Sequence, residues 1–501
     1  MIDLERKTKH NEFEKIKREI ELKFLSPKKG SNQEALSIAT NYILSFNSIK
    51  CIRQDDQDEF WIYSEGIYKP EGKTYILEIC DKLFHVAYTS QKSNQVCSKI
   101  KVKTFIDSKE FFEQQLNYAS LLAVKNGILN LKTKEIMPFS SEYYFFNKLD
   151  IKYANEGKCN NFIDFVNQII DKKEDYLVIQ ELFGFCLLKD YTFEKAFMFY
   201  GANGRNGKSK LLEILKLFIG DNNVSSLSLQ DIEKKPFSLC YLQNKLVNIG
   251  SDISNEALSF TGNFKKLTGR DSLSADRKNK SYIDFVNYAK MIFTANELPP
   301  ITTLSDAFWL RWVIIEFPYQ FLPKKEIEEM EREGKNTNNT FLQDPSIIKR
   351  LSSVDEMEGI LVWALEGLDR LTKNKDFSNK ETAKQNHLIW LRRSNSVSAF
   401  LFDEIEEDFD CTISKQQFKK NYLAYCRSNN IKTLSDKVIK STVEAETGAT
   451  SIRNTIKIEG LGFDKVSYWE GIRFRDVNLI LSSAVDEGEV TKLVHPEEFV
   501  I

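Results

Sequence analysis

From residue 196 onward the chain alternates short apolar runs with helix-like segments, and that alternation limits the folds open to it. The runs are "AFMFYG" (196–201), "NKLVNIG" (244–250), "AKMIFTAN" (289–296) and "RWVIIEF" (311–317). Strands that are apolar at nearly every position suit a parallel sheet covered by helices on both faces. The first run leads into "GANGRNGKS" (201–209), and the helical pattern "KSKLLEILKLF" follows at once. Strand, glycine loop and helix in that order make an anion site. Backbone N–H groups at a helix N-terminus converge on a phosphate, and glycines keep side chains out of the way. In such a loop Lys208 reaches the β and γ phosphates and the Ser209 hydroxyl binds Mg²⁺, with Gly201, Ala202, Asn203, Gly204, Arg205, Asn206 and Gly207 completing the ATP cradle. The usual spacing is G-x-x-x-x-G-K-[ST]. Here Ala202 stands where the first glycine belongs, and Gly201 comes one residue early. We expect Ala202 to tolerate the turn at an ordinary φ, while Gly204 and Gly207 supply the close backbone approach. A turn that merely caps a helix is the bland alternative.

Three further segments fall in motor order after the loop. "NKLVNIGSDIS" is an apolar strand ending at Asp252, a carboxylate at the strand edge where ligands bind in open α/β sheets. "KMIFTANELPPI" ends at Asn296, which either orients a water beside the γ-phosphate or caps a turn before Pro299. Arg311 precedes the last strand, as an arginine finger reaching a neighbouring subunit's nucleotide or as a surface ion pair. Between Asp252 and Asn296 lies "FKKLTGRDSLSADRKNKSYIDFV", where Arg277, Lys278 and Lys280 sit between two strand-like runs. A hairpin with cations at its tip can grip a phosphate backbone, or can simply be solvated.

The bulk numbers leave that open. A formal net charge of -2 gives no global pull toward nucleic acid or membrane, so any polyanion contact must come from local patches. At 501 residues the chain needs several domains. The eight cysteines are scattered without a C-x-x-C, and the four histidines do not cluster with them. Zinc ribbons and fingers are not expected, and reduced, buried thiols are. The charged start "MIDLERKTKHNEFEKIKREIELKFL" does not read as a signal peptide, and no apolar run is long enough to span a membrane. A cytoplasmic protein is the expectation.

Residues 1–150 read as a mixed α+β domain. It holds an amphipathic helix over 10–25, a linker at 26–33, and hairpins over 60–76 and 123–137, the second around Asn126-Gly127. Residues 151–385 read as a helical collar over 160–190, the ATPase core, and a lid containing the helical run 359–371. Residues 386–501 read as three helices and a two-stranded ribbon, the order of a winged helix, with Ser435 capping the third helix. The fold class expected is multidomain α/β.

As a set the elements resemble superfamily 3 helicases, AAA+ motors of viruses, phages and plasmids, and within them the primase–helicase branch of poxvirus and phage replication proteins. "GANGRNGKS" is similar to the family's Walker A motif, "LVNIGSD" to its Walker B, and "FKKLTGRDSLSADRK" to its third motif. "FTANELPPI" resembles its sensor and "FWLRW" its arginine-finger segment; "VKNGILNL" through "ELFGFCLL" resembles the domain before the motor. The resemblance implies a P-loop ATPase that uses ATP and Mg²⁺, acts on single-stranded or forked DNA and assembles as a homohexameric ring. A primase or polymerase is a further implied partner. Lys208, Asp252, Asn296 and Arg311 would carry catalysis. Lys266, Arg277, Lys278 and Lys280 would meet DNA in the channel, as would Lys437 and Lys440 on the winged helix. One departure concerns the Walker B strand, where Ser251 replaces a second acid. Asp252 then binds the metal through water, activates the attacking water, or shares these roles. Asp56-Gln57-Asp58 is a D-x-D pair, but the segment before it is too short for a primase fold.

The leading function is therefore an ATP-driven replicative DNA helicase. Two alternatives are an ATP-regulated DNA-binding initiator with weak unwinding, and a small-molecule kinase. The arginine after the sensor strand and the winged-helix tail disfavour the kinase.

Overall fold

The computed structural model describes residues 2–53, 58–235, 237–250, 261–278, 280–299, 305–429, 431–458 and 462–475. It divides into two compact units, residues 1–386 and 387–501.

The apolar runs of the first unit become a five-stranded sheet. Its strands are β1 (Ala196–Tyr200), β2 (Val224–Ser225), β3 (Val247–Gly250), β4 (Lys290–Ala295) and β5 (Trp312–Glu316). Every pairing is parallel, and the spatial order is β5-β1-β4-β3-β2. All residues of β1, β3 and β4 are buried, which is why the sequence shows no alternation there. Burying side chains such as Phe197, Met198 and Ile292 contributes about 1.5–3 kcal/mol each. The two-residue β2 left no apolar run to find. The connection after β1 runs past β4 toward β2, and the connection after β4 runs past β1 to β5, so the two leave in opposite directions. Such a switch point opens a crevice at the carboxyl edge of the sheet.

The region before the sheet has its own core, with Ile43, Cys51, Ile76, Leu83 and Ile100 fully buried. The first expected hairpin pairs Glu59–Ser64 with Ile67–Lys69. Its turn residues Glu65 and Gly66 are both at positive φ, the geometry of a tight hairpin turn. The hairpin stops at Lys69, and the helix Gly72–Phe84 takes over where strand was expected. The second hairpin pairs Leu121–Val124 with Gly127–Asn130 and adds Ile136–Met137 as a third strand. The segment 160–190 holds two helices, Asn160–Ile169 and Lys173–Phe185. The first helix of the chain, Ile2–Leu25, begins well before the apolar pattern that marked it.

In the second unit the helix Ser396–Glu404 gives way at once to a strand, Ile405–Ser414. Ile405 and Ile413 are its buried positions, and it pairs with Gly462–Phe474 across an irregularity between Asp408 and Thr412. Its charged residues hid the pattern. After the helix Ala383–Ser394, which straddles the division, the unit runs helix, strand, two helices (Lys415–Ser428 and Asp436–Thr447) and two strands, with a three-stranded antiparallel sheet in place of a bare ribbon. Ser435 occupies the N-cap position of the last helix, yet its side chain makes no cap bond.

Candidate nucleotide site

The loop 201–207 leaves β1 at its carboxyl edge and opens the helix Lys208–Ile219. Gly201 donates to Ala295 O at 3.2 Å, so the loop starts pinned to the end of β4. A Cβ on Gly201 would lie 2.2 Å from Asn206 Nδ2, which leaves no room for a side chain unless Asn206 moves. Asn206 is itself buried and donates to Asn203 O at 2.6 Å, closing the loop on itself. Gly207 is constrained twice: its φ is +89°, and a Cβ there would meet Ile169 Cγ2 at 2.4 Å. The helix Asn160–Ile169 that brings Ile169 is held by Glu356, whose carboxylate accepts from the backbone of Asn161 and Phe162 at its N-terminus.

Ala202 is not among the residues at positive φ, as expected of it. Gly204 also has no positive φ, and nothing lies within 4 Å of where its Cβ would be. The left-handed residue in the middle of the loop is Arg205, at φ 59°. Two contacts hold it there. Its carbonyl accepts from Phe321 N at 2.8 Å, and its guanidinium bonds both carboxylate oxygens of Glu326 at 2.7 and 2.9 Å.

Lys208 folds back over the sheet edge. Its ammonium donates to Gly201 O at 3.0 Å, Ala295 O at 3.1 Å and Asn296 Oδ1 at 2.9 Å, and the residue is only 6% exposed. The ends of β1 and β4 thus supply neutral oxygens to a nearly dehydrated cation. Such an ammonium keeps its charge available to an arriving anion. Ser209 lies in the first turn of the helix and is exposed. Beside the loop is a cavity of about 650 Å³, lined by Gly207 and Ser209 on the loop side and by Phe165, Gln168, Leu342 and Ile347 opposite. That volume lies within the range of small-molecule sites. No local motif announced these far-wall residues; they come from segments well before and after the loop.

The structure brings together Lys208, Asn296 and the loop 201–209. Asp252 lies outside the described residues, beyond the end of β3. Arg311 is not near Lys208. Its carbonyl accepts from Ala196 N at 2.7 Å, at the amino edge of the sheet, while the loop leaves the carboxyl edge. The five residues of β1 between them span about 16 Å at roughly 3.3 Å per residue. Arg311 is bonded there to Ala307 O and lies 3.4 Å from Glu194. Among the described residues no group of three or more His, Cys, Asp or Glu side chains is placed to hold a metal. A hard cation such as Mg²⁺ takes most of its ligands from phosphates and water, so Ser209 together with a nucleotide fits that chemistry.

The expected hairpin forms, pairing Ser272–Arg277 with Lys280–Val286. Lys278 at its tip and Lys266 on the adjacent helix Gly262–Thr268 are exposed. Lys280 lies in the second strand, and its side chain is outside the described set. Arg277 is different: its Nη1 is 3.2 Å from Glu59 Oε1, and the two side chains are 17% and 19% exposed. In the second unit Lys437 and Lys440 are exposed on Asp436–Thr447, with Lys440 3.8 Å from Glu444.

Two family models match stretches of the chain. Residues 54–171 match the family described as D5 N terminal like, and residues 199–308 match a family of unknown function (DUF5906). A relative from Acanthamoeba polyphaga mimivirus, "Putative helicase L207/L206", is 30% identical over 273 residues, covering 51% of this chain and 27% of that protein. A second, "Putative helicase 121R" of Invertebrate iridescent virus 3, is 25% identical over 307 residues, covering 57% and 31% respectively. The chain is thus similar to viral proteins described as putative helicases. The alignments to these viral helicase relatives take in less than a third of the length of each. Two solved apo structures of the NrS-1 C terminal region cover 86% of the chain at 14% identity, and 99% and 98% of their own chains, with TM-scores of 0.42 and 0.44. No described helix is long and apolar enough to cross a membrane.

Proposed function

We propose that the chain is a nucleotide-driven DNA helicase of the superfamily 3 type, an ATPase whose core is a P-loop sheet of AAA+ kind. The observation that carries this reading is the Lys208 ammonium, held at the junction of β1 and β4 by Asn296 and two strand-end carbonyls beside a helix N-terminus. An ATP γ-phosphate arriving at that N-terminus exchanges neutral carbonyl partners of Lys208 for an anion, while Asn296, freed from Lys208, orients the attacking water. Ser209 and Asp252 would hold a Mg²⁺ ion, which when bound would supply charge neutralisation to the phosphates. The cavity takes the base and ribose.

Arg311 serves in trans. Its place at the amino edge of its own sheet, away from the loop, supports a ring of identical subunits, in our reading a hexamer. Lys266, Lys278 and Lys280 meet the DNA backbone. The second unit acts as a winged helix, with Lys437 and Lys440 facing duplex or a primase or polymerase partner.

Lys208→Ala tests the site directly. ATP turnover should fall at least about a hundredfold, a loss of roughly 2.7 kcal/mol of transition-state stabilisation; normal turnover would overturn the assignment. A second reading, an ATP-regulated initiator with weak unwinding, is favoured by Asp276 and Asp284, acids on the exposed face of the hairpin. Strand displacement on forked DNA separates the two.

A further inference from the structure

The hairpin is anchored at both of its ends to the region that precedes the motor. Near the tip, Arg277 pairs across the hairpin with Lys280 and reaches Glu59, the first residue of the strand Glu59–Ser64, 218 residues earlier in the chain. Just past the hairpin's second strand, Tyr288 is buried, and its hydroxyl lies 2.9 Å from Asn147 Oδ1 and 3.3 Å from Gln115 Oε1. Asn147 in turn donates to Asn244 O at 2.7 Å and Asn223 Oδ1 at 2.9 Å, and Gln115 donates to Asn244 Oδ1 at 2.9 Å. Asn223 immediately precedes β2, and Asn244 lies shortly before β3. One buried amide network therefore joins the region 54–171, two strands of the sheet and the hairpin's exit.

A guanidinium that grips phosphates must stand in solvent and be free to exchange partners. Arg277 is mostly covered and faces a carboxylate that is covered as well. Breaking that pair without replacement takes a charge partner from Glu59 in a partly dehydrated place, a cost that an exposed pair does not carry. Lys278, one residue on, is exposed and carries no such cost.

We propose that Glu59 and Arg277 form a tether through which the region 54–171 sets the position of the hairpin, so that Arg277 is a positioning residue and not a phosphate contact. This rests on the reading of the hairpin as the DNA-gripping element. The tether makes the hairpin move with the preceding region as one body, and makes that region part of the coupling between nucleotide turnover and DNA.

The test uses the full chain, with ATP turnover measured with and without single-stranded DNA and DNA affinity measured across salt concentrations. Glu59→Gln is nearly isosteric and leaves every hairpin cation in place. It should keep DNA-free turnover and lose at least about twofold of the DNA stimulation, the smallest change typical of a residue on a coupling path. Tyr288→Phe, which keeps the ring and removes one hydroxyl, should shift stimulation in the same direction. Arg277→Glu should lose stimulation as well, and the exchange Glu59→Arg with Arg277→Glu should restore it. Removing a cation that neutralises one phosphate of a single strand flattens the plot of log affinity against log salt by about 0.7. Lys278→Ala should show that change and Arg277→Gln should not. The tether is overturned if Arg277→Gln flattens the plot as much as Lys278→Ala does, or if the charge exchange restores nothing. Unaltered protein that binds no DNA at any salt concentration would sink the hairpin reading itself, and the tether with it.

Discussion

A lysine ammonium sits at each end of the fourth strand of the sheet, and the two differ in access. At the carboxyl end Lys208 leans on Ala295 O and Asn296, keeps 6% exposure, and has neighbours on either side that line an open cavity. At the amino end Lys290, the first residue of β4, is fully buried. It donates to Tyr288 O at 2.7 Å and to Leu188 O, and it sits 4.6 Å from the centre of the Phe185 ring. Burial pushes its pKa down to about 7. Both ammonium groups have neutral oxygen partners, so the chemistry of the contacts does not distinguish them. Access does. The end that stays open to a ligand can use its cation, and the sealed end can only be stabilised by its surroundings.

Substituting each lysine by alanine is the strongest way to break that comparison. Lys290→Ala deletes a fully buried side chain, leaves a cavity and strips two carbonyls of their donor, and should cost about 2–5 kcal/mol in urea unfolding. Lys208→Ala should cost less than about 1 kcal/mol, because water from the open edge can replace the ammonium at the same carbonyls. Equal losses would mean that the carboxyl edge is as sealed as the amino edge, and the site reading would fail with that result.

The sequence showed the open edge far better than the sealed one, for a physical reason. A phosphate loop is local: glycines, Lys208 and the strand and helix around them all lie within one short stretch. Three of the apolar runs outlined β1, β4 and β5 almost residue for residue, because strands buried on both faces need no partner to be recognised. Arg277 could be seen as a cation on a hairpin, but the glutamate that holds it is 218 residues away. Nothing in "SADRKNK" points to Glu59. The same is true of the cavity's far wall, and of Glu326, which grips Arg205 from 121 residues further on. The strand Ile405–Ser414 was missed because its apolar positions are few and its charges many. Long-range partners of charged and amide side chains follow from the assembled fold, which local pattern does not contain.

A smaller effect sharpens the same contrast through pH. Lysines titrate near 10.5 when free, and burial lowers Lys290 and Lys189 to about 7. Between those values the unfolded chain binds more protons than the folded one, so these two groups make stability rise as pH increases from about 7. Below that pH both states are charged and the full penalty of burying the cations remains. Unfolding free energies of the unaltered chain and of Lys290→Met, compared over pH 6 to 9, should diverge at the acid end and converge at the alkaline end. Parallel curves would show that Lys290 is not depressed.

The smallest expected effect belongs to the loop itself. Arg205 holds a left-handed conformation that a non-glycine residue adopts at a cost of about 1–2 kcal/mol. Its bond to Glu326 is half exposed, at 55% and 43%, and returns less than about 1 kcal/mol. Arg205→Gly loses the ion pair and the strain together, so its stability should stay within about 0.5 kcal/mol of the unaltered chain. Arg205→Ala loses the pair and keeps the strain, and should be the less stable of the two by at least about 1 kcal/mol. If the pair exists to hold the loop ready for phosphate, both variants should raise the KM for ATP while leaving kcat nearly unchanged, and Glu326→Gln should do the same from the other side. A fall in kcat with KM untouched would place Arg205 at the reacting phosphate, and the contrast between a held loop and a reaching Lys208 would have to be redrawn.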